Sequence, residues 1–497
     1  MKAQAPSMAV SEMLDGSASE FADRVALVYG DERLSYAELR DQVDRLAGAL
    51  AARGLANGAP VALVLPNVPA FAVAFLAILR AGAVVVPLNP HFKEAELEFH
   101  FRECGVKAVI TDEVGVDGCA AVAGRLEDPP EMIVDLEPLI AEGGAVPPSA
   151  AADDDAVFQY SSGSTGRPKR VPRTHRHLRA EADSYVGAIG LTAEDSIFCT
   201  IALFHTYGMG CCLLAAVRSG ATLVLFDNPN PFVLQRGRAL DLIERERATV
   251  FPGVPFTFRM LAEAPDDADL SSLRVCFSAA AALPRGTFKA FQERFGVSVR
   301  ELYGCTEAGC LTVNVDADPD GTIGSVGTPI DGVELRIADD AGEPVEEGRI
   351  GEVLIRSVGM TPGYADSAEL NAEAFRDGWF RSGDRGRIDE EGRLFLTGRT
   401  KRLIDVRGEK VDPIEVEDVL AVHPKVAEVV VVGVASGVPG EELVKAVVVP
   451  AGDCQERELI RYCRERLADY KVPSRIEFRE EIPTGPGGKV LRKYLLD

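Results

Sequence analysis

The chain has 497 residues, 46% of them hydrophobic and 26% charged, and a formal net charge of −24 at pH 7. That length calls for roughly two to four domains and a large core, and the composition is that of an ordinary globular protein. The excess of negative charge repels phosphates. It excludes nucleic acid and an anionic membrane as partners, but leaves room for a nucleotide at a local positive site. The ten cysteines form no Cys-x-x-Cys pair, the usage expected of free thiols in a reducing cytoplasm. No basic segment followed by an apolar stretch opens the chain, so no secretory signal is expected. The apolar run Gly208 to Val217 is too short for stable membrane insertion.

Helix and strand patterns alternate over 34–112. Ser35-Tyr36-Ala37-Glu38 predicts a capping box. Leu39, Val43, Leu46 and Leu50 then recur at helical spacing until Gly54. Val61 to Leu65 predicts a strand, 68–81 an apolar helix, Val84 to Val86 a strand, Lys93 to Gly105 a polar helix, and Val106 to Thr111 a strand. Such alternation implies parallel sheets with helices on both faces. The segment 140–155 is expected to be a solvated loop. Val250-Phe251 and Arg274 to Phe277 continue the strand theme. Near 320 the composition turns to glycine-rich short strands, such as Val333 to Ile337 and Val353 to Ile355. The last hundred residues return to α/β, with a helix over Ile414 to Val422 and strands at Val429 to Val432 and Ala446 to Val449. The expected fold is α/β: a large N-terminal domain, 1–396, of two doubly wound sheets plus a β-rich subdomain at about 320–396, and a small C-terminal α+β domain, 397–497.

Six short stretches carry chemistry. In Tyr160-Ser161-Ser162-Gly163-Ser164-Thr165-Gly166-Arg167-Pro168-Lys169, small residues let backbone N–H groups turn inward on an anion, with hydroxyls and a lysine added. The spacing is not the Walker pattern, and a Ser/Gly surface loop is the alternative. Phe204-His205-Thr206-Tyr207-Gly208 places a histidine where it positions a carboxylate or serves as a core residue. Tyr303-Gly304-Cys305-Thr306-Glu307 offers a carboxylate for Mg²⁺ and a ring for a base, or an ordinary exit from a strand. Trp379-Phe380-Arg381-Ser382-Gly383-Asp384 predicts a turn whose acid accepts ribose hydroxyls or merely caps the turn. Gly398-Arg399-Thr400-Lys401 is a joint, and Gly485-Pro486-Gly487-Gly488-Lys489 presents one lysine near the C-terminus.

Taken in order, these motifs resemble the adenylate-forming superfamily of acyl-CoA synthetases, adenylation domains and luciferases, and among them the fatty-acid and aryl (coumarate-like) CoA ligases. The resemblance spans nearly the whole chain. It implies an AMP-forming carboxylate–CoA ligase that makes an acyl-adenylate from an acid and ATP, releases pyrophosphate, and passes the acyl group to the CoA thiol. It implies that Ser161, Ser162, Gly163, Ser164, Thr165, Gly166 and Lys169 grip the β- and γ-phosphates. Thr306 and Glu307 would hold the α-phosphate and Mg²⁺, with Thr165 as a second metal ligand. Ala280, Glu301, Leu302 and Tyr303 would line the adenine, and Asp384 with Arg399 the ribose. His205, Tyr207, Gly208, Cys211, Val254, Phe256 and Ala279 would form the acyl pocket, apolar enough to favour a fatty or aryl tail. Lys489 would act in adenylation, alongside His205, Thr306 and Glu307. Lys401 would be the hinge of a mobile lid, and Arg407 and Gly408 would meet CoA.

Departures from the family pattern are Arg170 for glycine, Asp405 for lysine, Gly487 for Thr or Ser, and Ser278-Ala279-Ala280-Ala281-Ala282 for Ser-Gly-Gly-Ala-Pro. Two other readings stand beside the ligase: an adenylating enzyme that loads a carrier-protein phosphopantetheine, and an inactive nucleotide-binding scaffold. The expected state is a monomer or homodimer in the cytoplasm.

Overall fold

The expected capping box forms. The Ser35 hydroxyl accepts from the Glu38 N–H, the Glu38 carboxylate accepts from the Ser35 N–H, and the helix Tyr36–Ala52 follows. Leu39, Val43, Leu46 and Leu50 are all buried along its inner stripe, and Gly54 beyond its end takes the left-handed φ of 78° that favours glycine. Pro69 opens the helix Pro69–Arg80, where its missing N–H costs no bond. Every residue from Phe71 to Arg80 is buried, the mark of a helix enclosed on all sides.

The computed structural model describes residues 9–146, 149–161, 168–226, 232–283, 285–339, 341–365, 367–399, 404–411, 413–438, 441–483 and 494–496. It divides into two compact units. Met1–Pro90, Phe101–Gln159 and Arg170–Thr400 make the first, and His91–His100, Tyr160–Lys169 and Lys401–Asp497 the second.

Among the described residues, two large sheets organise the first unit. One has nine strands, in the spatial order Thr328–Pro329, Gly309–Val313, Val299–Cys305, Val275–Ser278, Val250–Gly253, Ser196–Cys199, Thr222–Leu225, Val25–Tyr29, Glu32–Ser35. The six central strands run parallel, and antiparallel strands close both sides. The other sheet has six strands, ordered Glu131–Ile133, Ala108–Thr111, Pro60–Val64, Val84–Pro87, Asp155–Ser161, Lys169–Thr174, of which the first five run parallel. Val84–Pro87 and Val275–Ser278 are buried at every position, as strands covered on both faces must be. One core joins the two sheets through Leu27, Val61, Val85, Ile110 and Ile197. A second, aromatic core packs with Phe198 and Phe251 at 5.2 Å and Phe258 and Phe291 at 5.2 Å, both edge to face.

The β-rich stretch forms an antiparallel sheet of Val333–Ala338, Gly351–Ser357 and Trp379–Ile388, with Phe375–Arg376 and Leu394–Arg399 added. The turn expected at Trp379 to Asp384 is instead part of the long strand Trp379–Ile388. The glycines there serve a left-handed Gly383 and a bulge after Arg385, not a reversal of the chain. The solvated loop expected over 140–155 also begins differently. Residues 140–142 end the helix Glu137–Glu142. A Cβ on Gly143 would lie 2.0 Å from the Arg45 carbonyl, so these glycines permit close backbone packing.

In the second unit the strands Val426–Ala435, Glu442–Pro450 and Arg475–Phe478 form one sheet. The helices Pro413–Ala421 and Glu456–Arg464 share its core through Val416, Leu420, Leu459 and Cys463. A hairpin of Ile404–Val406 and Glu409–Val411 completes it. No helix among the described residues is long and apolar enough to cross a membrane.

Candidate active site

The parallel strands of the nine-stranded sheet deliver the candidate groups to one edge. Ser196–Cys199 runs out toward Phe204 to Gly208, Val250–Gly253 toward Val254, Val275–Ser278 toward Ala279 to Ala282, and Val299–Cys305 toward Thr306 and Glu307. The carboxyl ends of parallel strands are where α/β sheets bind ligands.

Two acids stand at this edge, each held by a tyrosine. Tyr364 donates its hydroxyl to Glu307 Oε1 at 2.8 Å, and the Glu307 carbonyl accepts from Thr361 N–H at 2.8 Å. Tyr303 donates to Asp384 Oδ2 at 2.6 Å, and the Asp384 N–H donates to Ser382 Oγ at 3.0 Å. Asp384 pairs in register with Arg399 across the antiparallel ladder. Glu307 and Asp384 are 7% and 5% exposed, so water does little to screen them. Cys305 feels both. Burial, then Glu307 and Asp384, push its thiol well above the ordinary range; it is a neutral thiol and not a nucleophile.

Mg²⁺ prefers one or two carboxylates together with waters and substrate phosphates. The described residues contain no group of three or more His, Cys, Asp or Glu able to cage a metal. Glu307 keeps an oxygen that Tyr364 does not use, so the donor set fits Mg²⁺ shared with a phosphate ligand. Glu301 is engaged differently: its carboxylate oxygens accept from Leu283 N–H at 3.0 Å and Gly324 N–H at 3.1 Å. Leu302 is buried beside it.

His205 caps the short turn Thr206–Gly208, with Nδ1 accepting from Tyr207 N–H at 3.2 Å. Its ring has exposed area, yet protein surrounds it deeply enough that desolvation lowers its pKa. The hydrogen bond assigns the proton to Nε2, which is then a neutral donor. Tyr207 donates to the Phe277 carbonyl at 3.2 Å. A Cβ on Gly208 would lie 2.3 Å from the Ala202 carbonyl, which makes glycine obligatory there. Cys211 is buried, a free thiol within hydrogen-bond reach of that of Cys310. Phe256 reaches the Phe232 ring at 6.4 Å, beside the second core, and Val254 caps the helix Pro255–Ala262. Ala279 is buried, whereas Ala280 is exposed at φ 69°, a strained backbone for a residue with a Cβ.

Sequence reasoning missed Arg173 and Glu181. Arg173 Nη1 donates to Glu181 Oε2 at 2.8 Å, with the side chains 0% and 1% exposed. Arg173 also donates to the Gly359 carbonyl, and Glu181 Oε1 accepts from Cys310 N–H. A Cβ on Gly210 or Gly309 would strike Glu181. A buried pair this fully bonded fixes the backbone behind the site. Arg173 is one of three basic residues in the strand Lys169–Thr174, so nothing in the sequence marks it out.

Ser161 ends its strand and Lys169 begins the next. Ser162, Gly163, Ser164, Thr165 and Gly166 lie outside the described residues, as do Lys401 and Lys489. Arg170, a departure in the sequence, has a structural role: it stacks 5.0 Å from the Phe158 ring and donates to the Glu103 carbonyl at 3.1 Å, closing the end of the helix Glu94–Cys104. Asp405 has one too. In the second unit it accepts from Gly408 N–H at 2.7 Å and pairs with Lys410, shaping the hairpin tip where Arg407 takes φ 56°.

The model of the AMP-binding enzyme family matches residues 14–365, and that of the AMP-binding enzyme C-terminal domain matches 415–489. The chain is 35% identical over 485 residues to a feruloyl-CoA synthase of Amycolatopsis sp, covering 94% of each. It is 33% identical over 509 residues to an oxalate–CoA ligase of Arabidopsis thaliana, covering 98% of each. Among solved structures it is similar to the o-succinylbenzoate CoA synthetase of Bacillus subtilis bound with a product analogue, with TM-score 0.88, 28% identity, and 99% and 98% of the chains covered.

Proposed function

Because this chain belongs to the AMP-binding enzyme family, we propose that it is an AMP-forming ligase joining an apolar fatty or aryl carboxylic acid to CoA. The observation that carries this reading is the carboxyl edge of the nine-stranded sheet, where the backbone orients His205, Tyr364 holds Glu307 and Tyr303 holds Asp384. The relatives' names support the acid–CoA chemistry, and the feruloyl-CoA synthase supports an aryl acid.

A carboxylate and a triphosphate repel each other, so the protein must hold both and absorb their charge. Ser161 to Lys169 would grip the β- and γ-phosphates, Asp384 with Arg399 the ribose, and Tyr303 and Ala280 the base. His205 Nε2–H would orient the acid, with Tyr207, Ala279 and Cys211 around its tail. The acid's carboxylate oxygen attacks the α-phosphorus, the bond to the bridging oxygen breaks, and pyrophosphate leaves. Lys489 would stabilise the charge growing on those oxygens. Mg²⁺, held by Glu307 and Thr165, would neutralise phosphate charge when bound. The CoA thiol then attacks the acyl carbonyl, loses its proton, and AMP departs. Arg407 and Gly408 would meet CoA at this stage, after the lid 397–497 turns about Lys401 relative to 1–396. We assign the enzyme to the cytoplasm, where its ten free thiols persist, as a monomer or homodimer.

Lys489→Ala tests the reading. Acid-dependent ATP–pyrophosphate exchange should fall on the order of 100-fold, while transfer from supplied acyl-adenylate to CoA stays within a few-fold. Equal loss in both halves contradicts two separate roles. Thioester found on a carrier protein but never on CoA would select the carrier-loading enzyme. Absence of exchange with every acid tried would select the inactive scaffold.

A further inference from the structure

Lys471 is a lysine with almost no water: its side chain is 9% exposed. A buried ammonium survives only when well paired. Nζ donates to Glu96 Oε1 at 2.9 Å and to Glu415 Oε1 at 2.8 Å, and the Phe92 ring lies 5.1 Å away. Burial pulls against the charge, but Tyr470, Glu415 and Glu96 overcome it and hold Lys471 above the ordinary lysine value. Both carboxylates sit in the first turns of helices, Glu94–Cys104 and Pro413–Ala421. Glu96 Oε2 meanwhile accepts from Lys93 N–H at 3.0 Å, so both its oxygens are placed.

The two partners differ in kind. Glu415 belongs to the same C-terminal stretch of the chain as Lys471. Glu96 is 375 residues away in sequence, on the stretch His91–His100 that completes the second unit. Lys471 ends the turn Asp469–Lys471, which packs against Glu409–Val411. That strand is one arm of the hairpin whose tip carries Arg407 and Gly408. Glu96 therefore reaches the hairpin through one lysine.

We propose that Glu96 and Lys471 are positioning residues for the thiol-transfer half-reaction: their ion pair anchors the Arg407–Gly408 hairpin to the first turn of Glu94–Cys104. The inference rests on the proposed ligase reading and adds a residue pair to it. Lys471 bonds Glu96 and Glu415 together, so loss of the Glu96 carboxylate loosens the hairpin and slows the step in which Arg407 and Gly408 meet CoA.

Glu96→Gln in the full chain tests this. Acid-dependent ATP–pyrophosphate exchange should remain within twofold of the unsubstituted enzyme. Transfer from supplied acyl-adenylate to CoA should fall tenfold or more, in kcat and not in KM for CoA. A merely structural role would lower both half-reactions together, with the melting temperature. Glu96→Asp, which keeps the charge but withdraws it by one methylene, gives the same split if Glu96→Gln does not fold. Parallel loss in both halves, or no loss in transfer, overturns the proposal. If the unsubstituted enzyme exchanges pyrophosphate and forms thioester, either of those results leaves the ligase reading standing; if it does neither, the ligase reading itself fails.

Discussion

The two edges of the nine-stranded sheet are both polar and treat charge in opposite ways. Where the parallel strands begin, a cavity of about 420 Å³ is lined by Arg24, Arg33, Glu194, Asp195, Glu246 and Thr249, among others. Most of its charges are already matched. Arg24 meets Glu194 at 2.8 Å, Arg33 meets Glu246 at 2.7 Å, and Arg274 grips both oxygens of Asp195 at 2.7 and 3.0 Å. Where the same strands end, Glu307 and Asp384 take tyrosine hydroxyls, and no ion pair links Glu307 to a basic side chain among the described residues. An edge that has neutralised itself has little left for a ligand. An edge whose acid is held in place but not neutralised can still bind a cation or a hydroxyl.

Substitutions at the two edges should therefore fail in different ways. Glu307→Gln keeps the size and an acceptor for Tyr364 but removes the charge. Pyrophosphate exchange should fall on the order of 100-fold, about 2.7 kcal/mol of transition-state stabilisation, with the melting temperature unchanged. A large loss of stability instead would mean that Glu307 is a structural acid. At the opposite edge, Arg274→Met strands Asp195, which is 7% exposed on its side chain. Stability should drop by about 1–2 kcal/mol, less than for a fully buried pair because the arginine is partly solvated. Exchange activity should stay as it was, and denaturant unfolding beside an exchange assay separates the two effects. A loss of activity there would erase the contrast. The smallest effect is expected at Ala280, whose φ of 69° costs a residue bearing a Cβ. Ala280→Gly should raise stability by about 0.5–1 kcal/mol, read by denaturant unfolding, and a drop would show that this backbone is not strained.

Local elements of the fold are legible in the sequence alone. The Ser35–Glu38 box, the apolar stripe from Leu39 to Leu50 and the strands at Val84 and Val275 are set by neighbours within a few residues, and each forms where expected. The spatial order of the strands is not legible, because Val25–Tyr29 finds its partner Thr222–Leu225 nearly two hundred residues on. Arg170 is unreadable for the same reason: the Glu103 carbonyl that explains it is 67 residues away. Asp405 stands out in the sequence only as a departure, since its role depends on how Gly408 and Lys410 fold back onto it. The tyrosines that hold the two candidate acids, Tyr303 and Tyr364, lie 81 and 57 residues from them. Spacing alone cannot announce such pairs. Glycine and proline mislead in one direction only: at Trp379 to Asp384 and at 140–155 they suggest loops where they permit a bulge and close packing.

The discontinuity of the second unit bears on how this protein can be cut. A gene fragment starting at residue 401 would carry Lys471 and Glu415 but leave out the ten-residue stretch with Glu96, Phe92 and His100, and the stretch that opens on Tyr160. Those pieces supply one of the lysine's two carboxylates and the aromatic stack in which His100 meets Phe92 at 5.4 Å and Tyr160 at 4.2 Å. Chimeras that exchange only the C-terminal hundred residues between relatives would mix a foreign lysine with a resident glutamate. For such exchanges the natural seam is a set of three segments, and a synthetic peptide spanning 91–100 is the piece to add back when the fragment is made alone.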